Sequence, residues 1–460
     1  MGTPELGPTY LRLAAASLLA LSCHAGATNL PVGPAASPAC IVRGNGEPRE
    51  TLTVALAHGV DAAYAPVPRN ESERLVFRQL YETLVTVDCE GQVRAGLAES
   101  WTEDAGGRSW TFRIRGDVQF ADGSPLTARD VVASWPSTSA THAIGLVAVT
   151  VGSDRELTIE LQRRASSPAI FADPVFAVAK HVGDDVWPFG TRAVRAEYGS
   201  GGSMTRLASA ERSVEFHSLQ GSDPRGALDA GVDLVVSADE GVIQYARALT
   251  GYRITPLPWN VTYVMMSRVG AGDVTLGALR SLASDAVRAD ARPAEPPYWW
   301  IAPECTPPGG ERPDARRGPS KSFIAYPQDD AVSRGIAERL VSLSWPPERS
   351  PDWLRARLPV DDRDASAPSA KGMTLRALIE AVRGGEAAAV IVPLPRSPVG
   401  TCPVPSAASG DELTALLLRS AEYPAVTPLL DGRPSLIARE GVGDLAVDGD
   451  GTLLLTGSLW

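Results

Sequence analysis

YETLVTVDCEGQVRAGLAESWTEDAGGRSWTFRIRGDVQFADGSPLTARDVVASW, residues 81–135, carries the densest run of structural signals in the chain. Trp110, Phe112 and Ile114 alternate with Thr111, Arg113 and Arg115, the period-two pattern of a strand with one face in a core. Gly116 and Asp122-Gly123 suit turns, glycine allowing a positive φ and aspartate bonding its own backbone. Thr127 is in place to cap a helix running through Asp130 to Trp135. Trp101, Trp110, Phe112 and Phe120 read as packing residues, with ligand contact as the alternative. The stretch is therefore a small, aromatic-rich β unit followed by a helix.

Toward the N-terminus, Phe77, Leu80, Tyr81 and Leu84 fall at helical spacing, so a helix is expected from Ser72 onward. Thr51–Ala57 alternates as a strand should. Residues 23–48 are rich in Gly, Ala and Pro without periodicity and read as a tether. Leu11 to Ser22 is an apolar run led by Arg12, of a length that suits a signal peptide over residues 1–22 and is too short to span a bilayer. Two cleavage readings stay open. Ala20-Leu21-Ser22-Cys23 resembles a lipobox, making Cys23 a lipidated first residue; Ala25-Gly26-Ala27 is an A-x-A site for ordinary secretion. Both place the protein outside the cytoplasm, in the periplasm or at the cell surface. Beyond Cys23 the cysteines are Cys40, Cys89, Cys305 and Cys402, an even number in an oxidising compartment. Pairing Cys40 with Cys89 and Cys305 with Cys402 keeps each bridge within one half of the chain, and buried free thiols are the alternative. No C-x-x-C spacing occurs, so no metal site is expected.

Toward the C-terminus, strand and helix patterns alternate. Gly231–Ser237 is a buried strand after the helix-like 227–230, and 251–267 is strand-rich around Trp259-Asn260. Residues 293–320 are dense in Pro, Gly and Arg, an irregular connection. Phe323–Pro327 is a strand, and Val332, Ile336, Leu340 and Leu343 mark a helix. Leu375, Leu378, Ile379 and Val382 share the face of another, followed by a strand at 389–394. Such alternation gives an α/β fold. The chain of 460 residues has 43 Lys plus Arg against 54 Asp plus Glu, net −11. That balance argues against nucleic acid or an anionic membrane surface as partner. No H-E-x-x-H, G-x-S-x-G or P-loop sequence occurs, and the five histidines are scattered. No enzyme activity and no cofactor are expected.

Taken together, Tyr81-Glu82-x-Leu84-Val85, Leu97-Ala98-Glu99-Ser100-Trp101, the Trp110–Arg115 strand, Val118-x-Phe120, Asp122-Gly123-x-Pro125-Leu126-Thr127-Ala128 and Asp130-Val131 resemble family 5 of the bacterial extracellular solute-binding proteins, which bind dipeptides, oligopeptides and nickel. Thinner likenesses run through 229–235, 278–292, 323–340 and 437–460. The resemblance implies a two-lobed periplasmic-binding-protein-like fold of class II, the large family 5 type, with mixed sheets, flanking helices and a hinge. It implies lobe I over 49–256 with an inserted subdomain near 76–180, lobe II over 257–404, and a return to lobe I over 405–460. It further implies a monomer that takes up a small solute or short peptide between the lobes and passes it to an ABC permease of the inner membrane. The scaffold-like nature of the matching blocks leaves a surface lipoprotein for sensing, chaperoning or adhesion as the alternative.

Candidate ligand residues come from that comparison. Tyr64 follows the first strand, where the family places cleft residues, and Trp259, Asn260 and Tyr263 lie near the expected first crossing. Each has a packing or turn role as its alternative. Arg396 would meet a ligand carboxylate, against the commoner solvated arginine. One departure stands out: Ala387–Arg396 (AAAVIVPLPR) stands where peptide binders carry an aspartate for the peptide α-ammonium. It offers no carboxylate, and a buried ammonium without a counter-charge is costly.

Overall fold

Leu52, Val54 and Leu56 alternate with Thr53 and Ala55, and the chain uses both faces of that strand. In the computed structural model, residues 40–46, 49–135, 145–162, 164–165, 167–183, 186–198, 204–209, 212–267, 323–344, 369–395 and 425–455 are described. Cys23, Cys305, Cys402 and Arg396 lie outside them, as do residues 1–22 and most of the tether.

In chain order the strands are β1 (Ile41–Val42), β2 (Thr51–Leu56), β3 (Val85–Val87), β4 (Val93–Ala95), β5 (Ala98–Glu103), β6 (Ser109–Ile114), β7 (Leu146–Ser153) and β8 (Glu156–Leu161). Then come β9 (Arg195–Tyr198), β10 (Met204–Ala208), β11 (Ser213–Ser218), β12 (Leu234–Ser237), β13 (Tyr252–Pro256) and β14 (Val261–Ser267). The last are β15 (Phe323–Pro327), β16 (Ser369–Met373), β17 (Ala389–Pro395), β18 (Ala425–Gly432), β19 (Ser435–Arg439), β20 (Leu445–Val447) and β21 (Leu453–Leu454). The described α-helices are α1 (Glu71–Arg78), α2 (Ala128–Ser134), α3 (Pro224–Asp229), α4 (Glu240–Ala248), α5 (Ala331–Ser344) and α6 (Leu375–Arg383).

Two sheets form the lobes. The first has seven strands in the order β13-β19-β12-β2-β11-β10-β9, with β2 parallel to both β11 and β12. Leu52, Val54 and Leu56 face a core shared with Leu75, Val76 and Phe77 of α1. Ala55 and Val235 face the other way, against Leu228 of α3 and Val242 and Ala246 of α4. The second sheet has five strands, β16-β15-β17-β14-β18. Tyr263 and Met265 meet Ile336 and Leu340 of α5 on one face, while Val264 and Met266 meet Leu378 and Val382 of α6 on the other. Both lobes are three-layered because their central strands bury both faces.

The chain leaves the first sheet between Pro256 and Val261 and returns between Gly432 and Ser435. From sequence the return is expected at 405. Strand β18 instead keeps the chain in the second lobe through Gly432 by pairing with β14 from Ser267–Ala425 to Val261–Gly432.

The aromatic unit quoted first is a four-stranded sheet, β5-β6-β8-β7. Trp110, Phe112, Phe120 and Trp135 are buried in its core, and Trp101 is half-buried beside it. Thr127 caps α2 in a capping box with Asp130. Helix α1 stops short of the expected apolar run, since Gln79 is its C-cap. The Gln79 amide donates to the carbonyls of Leu75 and Leu453, and its oxygen accepts from Leu455 N–H. Leu80, Tyr81 and Leu84 are buried all the same. Leu375 opens α6 exposed, because the first turn overhangs the face that Leu378, Ile379 and Val382 bury.

Cys40 and Cys89 are joined by a disulfide with Cα atoms 5.4 Å apart. It ties the start of the described chain, where β1 pairs with β20, to the β3–β4 turn.

In the Asp122-Gly123 turn, Gly123 has φ of 87°, the left-handed region glycine tolerates. Asp122 Oδ1 accepts from Ser124 Oγ at 2.6 Å and Ser124 N at 2.9 Å, and Oδ2 accepts from Lys180 Nζ at 2.9 Å. The Ser124 hydroxyl and N–H, and then Lys180, lower the Asp122 pKa to about 2. A carboxylate depressed below its unfolded value adds stability that is present at neutral pH and is lost as pH falls through about 2. Ser124→Ala is expected to move the Asp122 pKa up toward the ordinary carboxylate range, read by carboxyl NMR titration. An unmoved titration would contradict the assignment to Ser124.

Candidate functional site

Parallel strands leave ligand space beyond their carboxyl ends, where the connecting loops diverge. Here the segments that follow β12 of the first lobe and β15 of the second line such a space beside the chain crossings. A cavity of about 430 Å³ lies there, with walls from both lobes. The first lobe contributes Asp239, Gln244 and Arg247, from the loop after β12 and from α4. The second contributes Val332, Arg334 and Glu338 of α5. The floor is the two crossings themselves: Trp259 on the outward one, Arg433 on the return. They are held side by side, Leu257 N donating to Pro434 O at 2.9 Å and Asn260 N to Gly432 O at 3.3 Å.

Local chemistry fixes each wall. Asp239 caps α4, its Oδ1 accepting from Gly241 N at 2.7 Å. Glu240 accepts from Arg247 at 3.1 Å and from Gln244 at 3.3 Å. Asp330 begins α5, its Oδ1 accepting from Ser333 N at 2.6 Å. Tyr263 reaches the same carboxylate, its hydroxyl 3.5 Å from Oδ2. Burial, followed by the Asp330 charge, pushes the Tyr263 pKa well above its usual value. Burial likewise raises Asp330. Tyr263 is thus a neutral, fully buried phenol that sets the start of α5 against the floor. Gly432 makes this possible, since a Cβ there would sit 2.7 Å from Tyr263 Cε2 and 2.7 Å from Val261 Cγ1. On the floor, the Arg433 guanidinium lies 4.6 Å from the Trp259 ring centroid.

Of the residues expected from sequence, the cavity brings together Trp259 and Tyr263. Asn260 sits between them in sequence but faces elsewhere: a methyl on Gly451 would lie 3.4 Å from its Nδ2. Tyr64 stands outside the cavity lining, 45% exposed, its ring covered at 3.2 Å by Arg69, which also pairs with buried Glu73. Arg396 lies outside the described residues. Strand β17 is buried from Ala389 to Val392 and brings no carboxylate to the wall. Asp239, Arg334 and Arg433 were not legible beforehand. Their places follow from strand pairing across the crossings, and Gly432-Arg433-Pro434 alone reads as an ordinary turn.

The sequence of residues 92–197 matches the middle region of the bacterial extracellular solute-binding proteins, family 5. Over that region the chain is similar to the family. The periplasmic oligopeptide-binding protein OppA of Escherichia coli K12 is 33% identical over 123 residues, 25% of this chain and 20% of OppA. The curated oligopeptide-binding relatives from Haemophilus influenzae, Escherichia coli and Salmonella typhimurium are covered over 14%, 20% and 23% of their own length. Likeness of fold extends much further. The murein tripeptide-binding protein MppA of Escherichia coli superposes with a TM-score of 0.59 at 17% identity, over 90% of this chain and 100% of MppA. A dipeptide-binding protein from Pseudoalteromonas sp. SM9913, solved with Met-Leu, gives 0.61 at 14% identity, over 88% of this chain and 99% of that one. The likeness of fold to these solved binding proteins thus extends over most of the chain.

Proposed function

We propose that this chain is the substrate-binding component of a peptide/nickel-type ABC transporter, taking a solute into the interlobe cavity and delivering it to a membrane permease. The observation that carries this is the cavity of about 430 Å³ whose walls come from two separate sheets and whose floor is both crossings. Its size falls in the ordinary range of small-molecule sites. A hinge of two short strand-to-strand passages lets the lobes close, and ligand favours the closed form only through contacts made by both walls. Relatives named as periplasmic binders of oligopeptides and nickel support the reading. So does an apolar N-terminal run ahead of Cys23, which fits export and, with lipidation of that cysteine, anchoring at the membrane surface. The protein acts as a monomer, and binding and release involve no covalent step.

The test is a thermal-shift and X-ray scattering series on the purified protein with dipeptides, tripeptides and nickel–histidine. At a concentration about 100 times Kd, a ligand of the native state adds about 2.7 kcal/mol, a clear rise in Tm. The radius of gyration is expected to fall with the same ligand. Trp259→Ala is expected to weaken that binding by roughly 10- to 100-fold, as loss of an aromatic anchor does. Absence of any shift across all three classes would remove the transport reading.

A further inference from the structure

We infer that the closed lobes are latched by an exchange of ion-pair partners between α4 and α5, Arg247 leaving Glu240 for Glu338 and Glu240 turning to Arg334. The inference rests on the solute-binding reading and names the contact that holds a filled cavity shut. Its starting point is how the two helices stand. Helix α4 follows β12, whose last residue, Ser237, pairs with Ser435 at the return crossing. Helix α5 begins beside Tyr263, just past the outward crossing, through the contact of that hydroxyl with Asp330. Both helices therefore rise from the floor, one along each wall. On α4 the lining residues Glu240, Gln244 and Arg247 follow at helical spacing, and on α5 Arg334, Gly335 and Glu338 do the same. At 1.5 Å per residue, Arg247 and Glu338 each stand about 10 Å above the first residue of their helix.

The charges along these faces are ordered in opposite senses. Going up from the floor, α4 presents Glu240 and then Arg247, whereas α5 presents Arg334 and then Glu338. Laid side by side, the helices put an acid against a base at both levels. Gly335 places no side chain between the two α5 charges, so the helices can approach closely. The other charges of the lining are held elsewhere: Asp239 caps α4, Asp431 accepts from the Thr262 hydroxyl, and Arg433 stacks on Trp259. In the structure Arg247 pairs with Glu240 of its own helix at 3.1 Å, with side chains 55% and 26% exposed. A pair so open to water is worth little and costs little to break. Arg334 and Glu338 are exposed and have no ion pair among the described residues. Closure brings them against α4 as water leaves, and the attraction between opposite charges grows as the surroundings dry. The exchange thus adds nothing to the open form and favours the closed one, which is the difference a closing device needs.

Arg247→Lys supplies an amine through which a zero-length carbodiimide cross-link can report the contact. The full protein carrying it is treated with a water-soluble carbodiimide, alone and with Met-Leu, trialanine or nickel–histidine. Amides from position 247 to Glu240 and to Glu338 are both expected, the second through closure of the lobes, and peptide mass spectrometry tells them apart. An amide to Glu240 alone under every condition would overturn the inference and leave solute capture standing. The energetic arm is isothermal titration of any of these probes that binds. Arg247→Gln and Glu338→Gln are each expected to weaken binding about two- to fivefold, the worth of an ion pair left partly in water, and the double variant no more than either alone. Additive losses would overturn the inference as well, because each side chain would then touch the ligand on its own account. Failure of every probe to bind, with the amide to Glu338 formed, would bring down the transport reading while still showing that the lobes meet at these residues.

Discussion

Phe171→Ala is expected to destabilise the inserted aromatic unit by about 3–5 kcal/mol, the range for deleting a fully buried phenyl ring. Phe171 has no exposed surface and sits in a one-turn 3-10 helix, Pro168–Ala172. Its ring stands edge-on to Phe112 at 5.0 Å and Phe176 at 5.3 Å, with Trp110 at 6.5 Å. Three rings converging on one leave little backbone able to close the void, so the cavity term adds to the lost transfer term. Trp101, Trp110 and Trp135 belong to the same unit, and urea unfolding followed by tryptophan emission measures the effect. Trp101→Ala, at the half-buried edge of the same sheet, is expected to cost less than half as much. A Phe171→Ala penalty below about 1 kcal/mol would mean that the site relaxes around the void, contrary to the packing described.

The same aromatic unit shows why the fold was readable from sequence. Strand β6 advertises itself by strict alternation, and Thr127 with Asp130 forms the box that its sequence spells. Such signals are local: the period of side chains, the residue at a cap, the glycine at a turn. Where the partner is distant the reading failed. Leu80 and Tyr81 looked like further turns of α1, but Gln79 is occupied by Leu453 and Leu455, more than 370 positions away, and the helix stops. Residues 425–432 (AVTPLLDG) show no period-two alternation, so nothing local in the sequence marks β18.

The site divides along the same line. Trp259 and Tyr263 precede or lie within a strand whose existence was plain, and the crossing delivers both to the cavity. Arg433 becomes a floor residue only because β18 pairs with β14 and lays Gly432 against Tyr263. No window of sequence contains that juxtaposition. The electrostatics are similarly non-local. Counting acids and bases gives a net −11 for the chain, while within the cavity lining Asp239 serves as a helix cap and Glu240 pairs with Arg247.

Arg78→Ala is expected to be as damaging as any core truncation, about 3–5 kcal/mol, because it strands a buried carboxylate. The Arg78 Nε donates to Asp448 Oδ2 at 2.5 Å, with side chains only 10% and 11% exposed, so the last turn of α1 is fastened to the β20–β21 hairpin. Arg74, one turn earlier, lies 3.5 Å from Asp450. Burial raises the Asp448 pKa, and the Arg78 charge opposes it. For Asp450, burial acts in the same direction but Arg74 and Arg78 outweigh it and hold the group low. Removing Arg78 takes a cation from both carboxylates. Asp448 then rises further above its unfolded value, and a raised carboxylate favours the fold most when protonated. The deficit of Arg78→Ala is therefore expected to be largest at neutral pH and to shrink as the solution is acidified toward the Asp448 pKa. Arg78→Met combined with Asp448→Leu removes both charges and fills similar space. That pair is expected to recover most of the loss, which separates an uncompensated charge from simple loss of packing. Denaturation midpoints of the single and double variants across pH decide the matter. A double variant as weak as Arg78→Ala, with a deficit that ignores pH, would assign the role of Arg78 to its aliphatic stem.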